Sequence, residues 1–139
     1  MLLSRSLVAL SRSERVKQLA TTMPVSSGIV SRFVAGEGAD DAVRVSGQLA
    51  ADGLLVSLDH LGEDTTDRRH ADAVVAAYLD VLDRLTKAGL TRATEVSVKL
   101  SAVGQAISED GNKIALDNAR ILCQARRRMG GDRACAGQA

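Results

Sequence analysis

Two short runs with alternating or continuous apolar residues, Leu54–Asp59 and Glu95–Ser101, stand on either side of a long helical stretch, and this spacing constrains the fold more than any other feature. The intervening segment, Asp67–Ala88, carries Ala71, Val74, Val75, Tyr78, Leu82 and Leu85 in one stripe at helical period. Strands separated by a long helix cannot form a hairpin, so they are expected to be parallel and joined by a right-handed crossover. Gly89 closes the helix. A further helix is expected from about Asn112, with Ile114, Ala115, Ala119, Leu122 and Cys123 on one face. The reading is an α/β fold of strand, helix, strand and helix.

Upstream, residues 2–20 have helix-compatible apolar spacing, ended by Pro24 and Ser26-Ser27-Gly28. A short piece, Ile29–Val34, leads to Gly36 and Gly38. A helix then begins near Asp40 and Asp41, whose charges suit a helix N-terminus, and stops at Gly53. Residues 1–13 hold Arg5, Arg12 and several serines, a superficial likeness to a transit peptide. With no long apolar core and no small-residue cleavage site, they are read as an ordinary N-terminal helix.

Only Phe33 and Tyr78 are aromatic among 139 residues, so the core must be built from Ala, Val, Leu and Ile. A net charge of +1 gives no field that would draw nucleic acid. Cys123 and Cys135 form no CxxC pair, which fits a reduced cytoplasmic setting, and no apolar run approaches the roughly 18 residues of a membrane helix. His60 and His70 lie ten residues apart with no ligand pair at helical spacing, so no metal site is expected. Arg126, Arg127 and Arg128 read as a solvated helix end, where cations suit the dipole.

Alternation within the strands supplies the sharpest local inference. Val96, Val98 and Leu100 share one face, and Glu95, Ser97, Lys99 and Ser101 the other. In the first strand, Leu54, Val56 and Leu58 face the helices, leaving Leu55, Ser57 and Asp59 opposite. A sheet covered by helices on both sides would not tolerate the polar face, whereas a barrel lumen would. Asp59 and Lys99 then fall at the C-terminal ends of neighbouring strands, where (βα)8 enzymes place their chemistry. Two readings of Lys99 stand side by side: a solvated lysine paired with Asp59, or a functional ammonium that binds a carboxylate or serves as a base.

Three blocks, Arg32–Glu37, Leu58-Asp59-His60-Leu61-Gly62-Glu63 and Val96-Ser97-Val98-Lys99-Leu100-Ser101-Ala102, resemble the monofunctional bacterial proline dehydrogenases in content, order and separation. The resemblance runs over roughly residues 14–125. It implies a distorted (βα)8 barrel with FAD, oxidising L-proline to 1-pyrroline-5-carboxylate and passing electrons to a membrane quinone. It further implies that Lys99 contacts the bound proline, that Glu63 is a loop acid closing the site over substrate by pairing with an arginine, and that Asp59 supports. No residue of the chain is assigned a catalytic or flavin-binding role; the flavin-binding residues are expected beyond it. After Ile121-Leu122-Cys123 the family continues into a third strand bearing an aspartate, and here the Arg/Gly/Ala-rich stretch 126–139 stands instead. The expected organisation is therefore a helical segment at 1–52, the first two βα units of an incomplete barrel at 53–125, and a divergent tail. A frame shift or early stop near residue 126 is the expected origin of that tail, and the chain is expected to be an inactive, cytoplasmic form, peripheral to the membrane if attached at all. The alternative is a small α/β binding or regulatory domain without catalysis.

Overall fold

In a computed structural model the structure describes residues 34–61 and 64–130. The first expected helix at 2–20, all but the last residue of the short piece at 29–34, Glu63 and residues 131–139 lie outside the described residues. The elements below belong to one compact unit, Glu37–Ala139.

Helix α1, Ala39–Ala51, carries Asp40 and Asp41 in its first turn and ends against Gly53, whose φ of +79° is the left-handed conformation expected of a closing glycine. Strand β1, Val56–Asp59, follows directly. Helix α2, Arg68–Lys87, is capped by Asp67, whose carboxylate accepts the Arg69 amide at 2.8 Å. Its buried residues are the six of the predicted stripe, Ala71, Val74, Val75, Tyr78, Leu82 and Leu85. Strand β2, Thr94–Ser97, pairs with β1 in parallel, Val56 opposite Thr94 and Asp59 opposite Ser97.

The second strand is shorter than its apolar alternation suggests. Lys99 keeps extended backbone, but Leu100–Val103 wind into a 3-10 turn where the sequence reads as strand and then loop. The reason is packing. Ala102 and Val103 are buried in the core with Val74, Val75, Tyr78, Ala115 and Leu122, while Val96, Val98 and Leu100 lean on it from the sheet side. A continued strand would carry Val103 away from that cluster.

Helix α3, Gly111–Arg128, begins one residue before expectation and runs across the expected boundary at residue 126. Its buried face differs from the apolar set read from the sequence. Gly111, Ala115, Asn118, Leu122 and Arg126 are inside, and Ile114, Ala119 and Cys123 only partly so. The polar members answer loop carbonyls: Asn118 Nδ2 donates to Val103 O at 2.9 Å and Arg126 Nη2 donates to Thr91 O. Leu54, expected against the helices, is half exposed because β1 starts only at Val56.

Gly111 has an ordinary backbone but no room for a side chain, since a Cβ there would collide with the Gln105 carbonyl. Gly53 has open space and only its positive φ to satisfy. Gly53→Ala should therefore cost about 1–2 kcal/mol, and Gly111→Ala should cost more, because α3 must move off the turn. Urea unfolding of both variants measures this; equal losses would show that the α3 contact yields easily.

Candidate functional site

The site is assembled where the two strands end. Parallel pairing puts Asp59 beside Ser97, and the extended backbone at Lys99 brings its side chain back toward Asp59. Lys99 Nζ lies 3.1 Å from Asp59 Oδ2. The pair occupies the open face of the sheet, opposite the helices: Ser57, Asp59 and Glu95 are exposed there, while Val56, Leu58 and Val96 are partly covered on the other. The two residues singled out from strand alternation are thus brought together. Glu63 lies outside the described residues.

The ion pair does not hold the fold. Its side chains are 52% and 35% exposed for Lys99 and Asp59, so it contributes at most about 1 kcal/mol. Lys99 can trade this partner for another anion at small cost.

Tyr78, on the buried stripe of α2 and 3% exposed, fixes the other oxygen of Asp59. Its hydroxyl accepts the His60 backbone N–H at 3.1 Å and faces two acceptors, Ser97 O at 2.7 Å and Asp59 Oδ1 at 3.2 Å. One hydroxyl proton serves both, so the shorter contact to Ser97 carries the stronger bond. The His60 ring lies tilted over Tyr78 with centroids 5.9 Å apart. One hydroxyl thereby ties together the ends of both strands and the carboxylate that holds Lys99.

The sequence pattern placed Tyr78 in the core and missed this role. The available signal was chemical: a lone tyrosine on an apolar stripe must find partners for its hydroxyl when buried. Thr65 was missed as well. Its amide donates to Ser101 O and its hydroxyl to Ala102 O, both at 3.0 Å, anchoring the loop after β1 to the 3-10 turn. Among the described residues no group of His, Cys, Asp or Glu could hold a metal ion, and no helix is long and apolar enough to cross a membrane.

Burial pushes the Tyr78 hydroxyl up from 10.0 to about 12; the nearby Asp59 charge adds to this, and the His60 N–H partly offsets it. The folded state therefore binds more protons than the unfolded state between these values. The stability involved, roughly 2–3 kcal/mol, is fully present below pH about 10 and lost as pH rises through about 12. Because the chain has one tyrosine and no tryptophan, phenolate absorbance follows this group alone. The folded protein should titrate near 12, and Tyr78→Phe should remove the corresponding loss of stability. A folded-state midpoint near 10 would contradict the buried arrangement.

No family profile matches the chain. It is 29% identical over 127 residues to proline dehydrogenase of Deinococcus radiodurans, an overlap of 91% of this chain and 40% of that protein. It is 30% identical over 91 residues to proline dehydrogenase 1 of Bacillus subtilis, 66% of this chain and 28% of the relative. The chain thus spans 40% or less of the length of these curated relatives. Among solved structures, proline utilization A from Bdellovibrio bacteriovorus, inactivated by N-propargylglycine, has a similar fold with a TM-score of 0.63 at 22% identity, over 76% of this chain and 13% of that one. The chain is thus similar in sequence to curated proline dehydrogenases along most of its length, and it shares the fold of the matched part of proline utilization A.

Proposed function

We propose that these residues form the opening βα units of a proline-oxidising (βα)8 barrel, with Lys99 contacting the carboxylate of bound L-proline. One observation carries the reading: the Lys99–Asp59 pair sits at the C-terminal ends of adjacent parallel strands, on the face turned away from the helices. That end is where barrels of this kind carry their reactive groups. Asp59 holds the ammonium in position until substrate takes it over, and Tyr78 holds Asp59. Glu63, two residues before the anchored Thr65, is the acid that closes the loop over substrate by pairing with an arginine.

The product of this chemistry is 1-pyrroline-5-carboxylate, with FAD taking the electrons and a membrane quinone receiving them from an enzyme on the cytoplasmic side. FAD, when bound, accepts the two electrons of the C–N oxidation. The described residues do not build its site. The open sheet face carries exposed Ser57, Asp59 and Glu95 without a phosphate cradle, and a cavity of about 190 Å³ lies at the other end of the strands. The described strands form a two-stranded sheet, and the proposal includes that these residues do not oxidise proline without the remaining units of a barrel.

Purified alone, the chain should show no flavin absorbance and reduce no dye when given proline; a yellow, proline-oxidising protein would overturn its inactivity. Residues 37–130 exchanged into the Deinococcus radiodurans relative should restore a flavin-bound, proline-oxidising enzyme. In that chimaera Lys99→Met should lower kcat/KM for proline at least about tenfold, the loss of one charge-assisted contact. A flavin-loaded chimaera without proline oxidation would refute the function. An active one indifferent to Lys99→Met would refute the assignment of the lysine.

A further inference from the structure

Lys99 stands two residues past the end of β2, and the backbone that carries it is gripped on both sides. Before it, Ser97 O accepts the Tyr78 hydroxyl at 2.7 Å. After it, the Ala102 amide donates to Lys99 O at 3.1 Å and the Gln105 amide to Leu100 O at 3.0 Å. The carbonyls that follow are met from other elements. Thr65 donates its amide to Ser101 O and its hydroxyl to Ala102 O, both at 3.0 Å, and Asn118 Nδ2 of α3 donates to Val103 O at 2.9 Å. Each carbonyl from Lys99 to Val103 therefore has a donor within the protein.

Thr65 is 1% exposed and Asn118 5%. Polar side chains at such depth cost stability unless paired, and here they pair with backbone that has turned out of its strand and has no strand opposite to supply donors. Thr65 follows β1 in the chain, while the carbonyls it holds follow β2. It is thus a second tie between the two strand ends, beyond Tyr78. The two ties bracket Lys99, at Ser97 on one side and at Ser101 and Ala102 on the other. With the backbone fixed on both sides, the lysine has only its own rotamers to search for the place beside Asp59, and a small shift of the turn would carry its ammonium away.

We propose that Thr65 is a positioning residue for Lys99. By fixing the turn after the lysine, it sets where the ammonium stands beside Asp59, and through it how the carboxylate of bound proline is met. Asn118 serves the same turn from α3. The inference rests on the substrate contact assigned to Lys99 above. Thr65 is buried and makes no substrate contact of its own, so its effect on proline passes through Lys99.

The test has two arms. In the flavin-bound chimaera, Thr65→Val should lower kcat/KM for proline about fivefold, mainly through KM, and Thr65→Ser, which keeps the hydroxyl, should restore it. With Lys99→Met already in place, Thr65→Val should change kcat/KM no further. In the full chain without flavin, nuclear Overhauser contacts between the Lys99 stem and the Asp59 methylene should weaken in Thr65→Val and persist in Thr65→Ser. A residue that only supports the fold would lower the urea midpoint and cost the same factor in both lysine backgrounds. That result would overturn the proposal, as would unchanged Lys99–Asp59 contacts in folded Thr65→Val. If Thr65→Val does not fold, Asn118→Leu, which removes the donor to Val103 O, replaces it in both arms with the same expectations. A chimaera that binds flavin and leaves proline untouched would refute the substrate contact of Lys99, while the contacts in the full chain still decide whether Thr65 places the lysine.

Discussion

The buried hydroxyl of Tyr78 is the interaction on which the candidate site depends. A two-stranded parallel sheet has little of its own to keep its ends in register, since each described strand pairs on one edge only. Tyr78 supplies what the sheet lacks. From a helix packed beneath both strands, it takes the His60 amide from one chain segment and gives its proton toward Ser97 O and Asp59 on the two strand ends. The resulting geometry is expensive to leave, because any departure strands polar groups at a position that is 3% exposed.

From this anchor the character of the Lys99 pair follows. Asp59 is held by a buried donor on one oxygen, while its other oxygen meets an ammonium that is half in solvent. The rigid partner is the acid and the free one is the base. An arrangement of this kind suits a cation that must exchange a resident counter-ion for an incoming carboxylate, because the acid stays in place when the lysine turns away. Were the pair fully buried, separating it would cost several kcal/mol and the exchange would be blocked.

The fold and the site were legible in the sequence to different depths. Helical period identified all six buried positions of α2, and strand period put Asp59 and Lys99 on one face, because both patterns depend only on spacing along one element. The role of Tyr78 depends on which atoms of other elements come within reach of its hydroxyl, and no spacing rule encodes that. The end of β2 was misread for a related reason: alternation continues through Leu100, but the turn there is dictated by where Val103 must pack. Arg126 shows the limit most clearly. In sequence it is one of three arginines at a helix terminus, all expected in solvent; in the structure the helix rotates it inward to the Thr91 carbonyl while Arg127 and Arg128 stay exposed.

That inward arginine also changes how the two ends of the sheet compare. At the C-terminal end the cation is half exposed, and its carboxylate partner is part of the same chain. At the N-terminal end the cation is buried and is spent on the Thr91 carbonyl, a contact internal to the fold. A solvent-screened ammonium gains little from an anion until water is excluded, so on the proposed function selectivity at the Lys99 end comes from whatever closes over it. A buried guanidinium has already lost most of its water, and its task is to satisfy a backbone acceptor that would otherwise be left without one. The two ends therefore use their cations differently, a screened one held beside a carboxylate at one and a buried one fastening a loop carbonyl at the other.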